Sequence, residues 1–113
     1  MSFSGYPGVI YSGDDFTIST SGLAIIETTI GNSNKDLWKF VKPHGQILEG
    51  FRSLIANRLA KNGKHWAKIF ARRNSGTYNN QWMVVDFKKF HMKFRSSDLY
   101  LTKFSSQKNE FFY

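Results

Sequence analysis

Apolar and polar side chains alternate through Phe16-Thr17-Ile18-Ser19-Thr20. A period of two is the signature of a strand with one buried face. Ser21-Gly22 then offers a tight turn, and Leu23-Ala24-Ile25-Ile26-Glu27-Thr28-Thr29-Ile30 reads as a second strand. Two such runs joined by a short Gly-bearing link predict a hairpin. The continuous run Leu23 to Ile26 predicts a strand covered on both faces, as in a layered sandwich. Gly31-Asn32 ends it.

Residues 31–44 read as a connector with Trp38, Phe40 and Val41 as anchors into the core. From Gln46 the period lengthens. Ile47, Leu48, Phe51, Leu54, Ile55, Ala56 and Leu59 recur at helical spacing, with Arg52, Arg58 and Lys61 on the other face. Asn62-Gly63 is predicted to stop this helix, with Gly in the left-handed conformation. A second helix is predicted from Lys64 to Arg73, with Trp66, Ile69 and Phe70 as its stripe and Arg72 and Arg73 in its last turn. Gln81-Trp82-Met83-Val84-Val85-Asp86-Phe87 reads as a third strand. The first fifteen residues read as loop, punctuated by Gly5, Pro7, Gly8 and Gly13. Beyond Phe90 the periodicity weakens, with Leu99-Tyr100-Leu101 as a short strand candidate.

The chain has 113 residues, 41% of them hydrophobic and 17% aromatic. That suits one packed domain or part of a larger one and excludes a disordered chain. Every apolar run is too short for a membrane-spanning helix. Met1 is followed by neither a basic start nor an apolar core, so the chain shows no secretory signal. It contains no cysteine, which removes disulfides, Cys-based zinc sites and a cysteine nucleophile within these residues.

Net charge is +8, which favours polyanionic partners over a merely solvated surface only if a binding geometry supports it. Arg52, Arg58, Lys61, Lys64, Lys68, Arg72 and Arg73 lie along the two predicted helices. Lys88, Lys89, Lys93 and Arg95 interleave with Phe87, Phe90 and Phe94. Basic and aromatic groups together can grip phosphates and stack bases. No helix-turn-helix, zinc-finger or RNP-type pattern accompanies them, so nucleic acid is disfavoured as a partner.

Candidate chemistry is sparse. No Gly-x-Ser-x-Gly elbow occurs. His44, His65 and His91 lie too far apart in sequence to form a metal-ligand pattern, and no metal or cofactor is expected. Asp14 and Asp15 are the one acidic pair, and on an extended chain they point to opposite faces, which favours a turn or cap role. The polar string Asn74-Ser75-Gly76-Thr77-Tyr78-Asn79-Asn80-Gln81-Trp82 runs directly into a predicted strand. It has two readings: a turn-rich connection whose side chains cap helix and strand, or the polar wall of a site.

That string, followed by Met83-Val84-Val85-Asp86-Phe87-Lys88, resembles the phospholipase B-like family of lysosomal or secreted hydrolases. Phe3-Ser4-Gly5-Tyr6-Pro7-Gly8, Asp14-Asp15-Phe16, Ser21-Gly22-Leu23, Glu27-Thr28-Thr29-Ile30-Gly31-Asn32, Leu37-Trp38-Lys39, Ala56-Asn57-Arg58-Leu59-Ala60 and Trp66-Ala67-Lys68-Ile69-Phe70 are similar to family strings in the same order. Within the family the likeness is nearest to its second branch. The resemblance covers residues 3 to about 90. It implies an α+β fold: part of the αββα sandwich of N-terminal-nucleophile hydrolases, incomplete in this chain. It also implies lipid ester or amide hydrolysis by a cysteine exposed on internal cleavage, a role in lipid catabolism, and a lysosomal or secreted setting.

That cysteine is absent here, so these 113 residues by themselves are expected to be inactive. The resemblance implies that residues 1–90 are a fragment of the hydrolase domain. Residues 91–113 would be a divergent tail, either disordered or a gene-model artefact. One pocket residue carries over, Thr29, the second Thr of Thr-Thr-Ile-Gly-Asn. The implied partner of the full-length protein is a lipid or amide substrate, with an anionic membrane surface as a further partner for the basic faces. The competing class is a non-catalytic basic module that binds anionic lipid or nucleic acid.

Overall fold

A computed structural model describes residues 1–11 and 16–90. Asp14-Asp15, Leu99-Tyr100-Leu101 and the whole of the expected tail lie outside the described residues. Within them the elements run β1 (Ser2–Phe3), β2 (Phe16–Ile18), β3 (Leu23–Thr28), a 3-10 helix (Lys35–Phe40), α1 (Glu49–Leu59), α2 (Gly63–Phe70), β4 (Gln81–Asp86) and a short 3-10 turn (Phe87–Lys89). The strands form one antiparallel sheet in the order β1-β2-β3-β4. The architecture is therefore mixed α+β.

The predicted hairpin forms. Ser19 N donates to Leu23 O at 2.8 Å, and Gly22 N to Ser19 O at 3.1 Å. Gly22 has φ +75°, a conformation that a Cβ would penalise. β4 pairs with β3 from Leu23↔Asp86 to Thr28↔Gln81, which makes β3 the paired centre of the sheet. β1 was unforeseen because two residues are too few to show a period. It adds to the β2 edge through Ser2↔Ile18 and Phe3↔Thr17.

The register sorts side chains by face. Leu23, Ile25 and Glu27 of β3 share one face with Phe3, Thr17, Trp82 and Val84. Both helices are on this side. Leu23, Ile25, Ala56, Ala60, Trp66 and Phe70 are the buried core, with Ile69, Trp82 and Val84 packed against them. The Trp66 and Phe70 rings stack at 4.7 Å, and Trp82 lies 5.4 and 4.9 Å from them, tilted against both. These separations are in the range where aromatic pairs attract beyond simple burial. The opposite face carries the rows Phe16–Ile26–Met83 and Ile18–Ala24–Val85. Phe16, Ile18, Ile26 and Met83 are exposed there, so β3 is covered on one face only among the described residues. This departs from the two-sided burial that its continuous apolar run predicts.

α1 corrects the sequence reading more deeply. Most of its expected apolar stripe faces outward: Leu48, Phe51, Ile55 and Leu59 are exposed, Phe51 at 56% and Leu59 at 61%, while Ile47 and Leu54 are half-buried and Ala56 alone of the stripe is in the core. The buried side is Glu49, Arg52, Ser53, Ala56 and Asn57. That set also has helical spacing. The reason is packing against α2, whose large Trp66 and Phe70 need small neighbours, and Ala56 and Ala60 supply them. Arg52 is thus 2% exposed, not part of a basic outer face.

Other boundaries move as well. α1 begins at Glu49 rather than Gln46 and ends at Ala60 in extended conformation. Asn62 is not its stop. It caps α2 instead, its side chain accepting from His65 N at 2.9 Å, and Gly63 opens that helix. α2 ends at Phe70, so Arg72 and Arg73 lie beyond it, Arg73 with φ +52°. Trp38 and Phe40 do not anchor the connector. They are exposed, and Val41 alone of the three is half-buried.

The two faces of β3 set up a direct comparison. Leu23→Ala should lower the unfolding free energy by ~2–5 kcal/mol, because the cavity it leaves is enclosed. Ile26→Ala, three residues on and facing out, should cost under about 1 kcal/mol. Urea denaturation of the two variants measures both.

Candidate functional site

A cleft of about 450 Å³ opens between α1 and the helix-side face of the sheet. Strand alternation puts Ile25 and Glu27 on one wall, with Thr17 and Trp82 from the flanking strands and Thr29 just past the end of β3. α1 supplies Glu49, Ser53 and Asn57 from its inward stripe. Thr77, Tyr78 and Asn80 close the third side, and Phe3, Ile10, Leu48 and Leu54 make the remainder apolar. One part of the lining can therefore hold hydrocarbon and another can hydrogen-bond, the usual division of a small-molecule site.

Thr29, the site residue carried over by resemblance, lines this cleft and is exposed. The polar string forms turns within itself and also lines the cleft. Asn74 Oδ1 accepts from Gly76 N at 2.8 Å and Ser75 Oγ from Thr77 N at 3.4 Å, while Thr77, Tyr78, Asn80 and Trp82 line the cleft. Of the histidines, His44 is exposed, half-buried His65 accepts from Lys61 N through Nδ1 at 3.4 Å, and His91 lies outside the described residues.

Sequence reasoning missed the residues that organise the cleft. Tyr11, read as loop, donates its hydroxyl to Glu49 Oε2 at 2.8 Å. The Tyr11 ring lies against Gly50, 3.1 Å from where a Cβ would stand, so a larger residue there would push it away. Burial, then the hydrogen bond to Glu49 and the charges of Glu49 and Glu27, push the Tyr11 hydroxyl up to about 12. Asn57 Oδ1 accepts from Trp66 Nε1 at 2.7 Å, tying the cleft to the aromatic core. The signal for these residues was available in outline. Glu49, Ser53 and Asn57 recur every fourth position, the spacing of one helix face, but they are polar and so read as the outside.

Arg52 holds the back of the site. Its Nη1 donates to Phe70 O at 2.8 Å and its Nη2 to Asn79 Oδ1 at 3.4 Å. The guanidinium lies over the Phe70 ring at 4.4 Å. Burial lowers its pKa from the ordinary arginine value, and the nearby Glu49 charge opposes that shift. Arg58, Lys61, Lys64, Lys68, Arg72 and Arg73 remain exposed, as does the pair Lys88 and Lys89, whereas Lys93 and Arg95 lie outside the described residues. No helix among the described residues is long and apolar enough to cross a membrane.

A profile of the family described as Phospholipase B matches residues 1–107. The match runs past residue 90. The chain is 62% identical over 88 residues to the phospholipase B-like 2 proteins of Rattus norvegicus and Homo sapiens, covering 78% of this chain and 15% of theirs. It is 48% identical over 98 residues to phospholipase B-like protein C of Dictyostelium discoideum, covering 85% of this chain and 17% of that one. The chain thus spans 15–17% of the length of these relatives.

Tyr11 gives the site a spectroscopic handle. In a UV titration it should ionise near its shifted value, about 12. Glu49→Gln should lower that value but leave it above the ordinary ~10, because burial, the larger cause, persists. The sign for stability follows. The folded pKa exceeds the unfolded one, so this contribution is complete below pH ~10 and is lost as pH rises from there through about 12. Denaturation at a series of alkaline pH values checks it, with a smaller loss in Glu49→Gln.

Proposed function

This chain belongs to the phospholipase B family, and from that membership we propose that its cleft is one wall of a hydrolase active site. The substrate is a lipid ester or amide. The reading also carries the setting that the family resemblance implies, lysosomal or secreted. The observation behind it is the position of Thr29, a pocket residue by resemblance, on a cleft with apolar and polar sides.

The chemistry is that of an N-terminal cysteine nucleophile. Its thiolate attacks the scissile carbonyl, the leaving alcohol or amine takes a proton from the cysteine's own α-amino group, and water then releases the acyl group. These 113 residues hold no cysteine, so another part of the family's polypeptide supplies it. This chain's contribution is to bind and orient. The apolar lining, Phe3, Ile10, Leu48 and Leu54, receives hydrocarbon. The Thr29 hydroxyl can donate to the carbonyl oxygen or accept from the nucleophile. Asn57 and Asn80 add amide groups on the facing walls.

The bare sheet face supports the αββα reading of the fold. Phe16, Ile18, Ile26 and Met83 make an apolar surface opposite the helices. A second sheet is the natural cover for such a face. On this reading the helices and strands described within residues 1–90 are one helix layer and one sheet of the sandwich.

The test uses a polypeptide that includes both these residues and the nucleophilic cysteine. Thr29→Ala should reduce kcat/KM for a fluorogenic lipid ester or amide by roughly 10²-fold, the scale of losing one polar contact to the transition state. The melting temperature should stay put, since Thr29 is exposed. The 113-residue chain by itself should show no turnover. Unchanged activity in Thr29→Ala, or turnover by the purified chain alone, overturns the assignment.

A further inference from the structure

The segment from Lys35 to Lys42 combines features that neither the core nor the cleft uses. All six residues of its 3-10 helix are exposed. Leu37 is 42%, Trp38 68% and Phe40 60% exposed. One exposed apolar side chain is ordinary, but three within four positions form a patch. Lys35, Lys39 and Lys42 surround it, against one acidic residue, Asp36. Lys39 Nζ lies 5.2 Å from the centre of the Phe40 ring, so charge and apolar surface belong to the same patch.

The segment holds its shape without those side chains. Asn34 Oδ1 accepts from Asp36 N at 3.1 Å at one end. Val41 N donates to Trp38 O at 3.1 Å at the other. Lys42 N donates to Gln46 Oε1 at 3.1 Å, and Gln46 Nε2 to Phe40 O at 3.4 Å. Val41 rests against Gly76 and joins the segment to the body. The backbone is satisfied locally, so Leu37, Trp38 and Phe40 are presented outward by a capped element.

We propose that this 3-10 helix is a membrane-contact element, placing Leu37, Trp38 and Phe40 in the interface of an anionic lipid bilayer while Lys35, Lys39 and Lys42 meet its headgroups. Trp is at home at the membrane–water boundary, where its ring is apolar and its N–H stays wet. Binding of this kind adds the burial of apolar side chains to attraction between lysines and acidic lipid. Charge complementarity picks an anionic surface over a neutral one. Leu37 picks lipid over a nucleic acid, because an aliphatic side chain has no face on which a base can stack. The inference uses neither Thr29 nor the cleft, so it stands or falls separately from the hydrolase reading.

The experiment is co-sedimentation of the 113-residue chain with two kinds of vesicle, phosphatidylcholine alone and phosphatidylcholine mixed with phosphatidylserine. The expected result is binding to the mixed vesicles, weakened by salt, with a blue shift of tryptophan emission. Lys39→Glu should weaken binding by about 30-fold, the effect of reversing one charge near an anionic leaflet. Trp38→Ala should weaken it by roughly tenfold or more, and Trp38→Phe should retain most of it. Phe51→Ala, on the comparably exposed outer face of α1, should leave it unchanged. All these side chains are exposed, so the unfolding midpoint should match the parent and any loss should report binding. Four outcomes overturn the proposal. They are absence of binding to the mixed vesicles at low salt, equal losses for Trp38→Ala and Phe51→Ala, and tighter Trp38-dependent binding to a single-stranded oligonucleotide than to vesicles. The fourth is Trp38 shielded from a collisional quencher in a polypeptide of the relatives' length, which would make the patch an internal packing surface.

Discussion

A buried cation holds this structure in its particular arrangement. Arg52 lies inside α1, donates to the carbonyl of Phe70 at the end of α2, and covers the Phe70 ring. It also reaches Asn79 in the polar loop. A guanidinium out of water is costly unless its donors and charge are compensated. Here a carbonyl, an aromatic face, an amide oxygen and the field of Glu49 share that compensation. Because those partners come from three parts of the chain, α1, α2 and the 74–80 loop have to sit in one relation. That relation turns the polar stripe of α1 inward, and the outward stripe becomes Leu48, Phe51, Ile55 and Leu59.

The cleft follows from the same constraint. With Glu49, Ser53 and Asn57 facing the sheet, α1 offers polar groups opposite Glu27 and Thr29. Tyr11 closes on Glu49, and Asn57 fastens the indole of Trp66. The aromatic group of Trp66, Phe70 and Trp82 then forms a packed floor beside a polar site. Stability and site are coupled through shared residues, Asn57 and Trp82 above all, so changes in one should be read with measurements of the other.

The family gives these features a consistent meaning. The chain spans 15% of its phospholipase B-like 2 relatives, and among the described residues three apolar surfaces are uncovered: the far face of the sheet, the outer face of α1 and the 3-10 segment around Trp38. The third carries lysines and a cap at each end, which a surface destined for interior packing does not need.

The hairpin, the existence of both helices and the β4 strand were legible in the residues alone, because period and turn chemistry are local properties. Gly22 and the alternation around it determine β2 and β3 wherever the rest of the chain goes. Thr29, which the resemblance singles out, lies on the cleft just past the end of β3. Tertiary structure decided which face of α1 is inside, and with it the roles of Arg52, Glu49 and Asn57. The reason is physical. A helix with one apolar and one polar stripe has two ways to dock, and transfer free energy by itself favours the apolar one. The choice was reversed by partners on other elements: the bulk of Trp66 and Phe70 packed with Ala56 and Ala60, and the groups that meet the Arg52 Nη donors and the Asn57 amide oxygen. Those partners are on different elements, and their meeting depends on how α1 and α2 pack, so only the folded arrangement could show them.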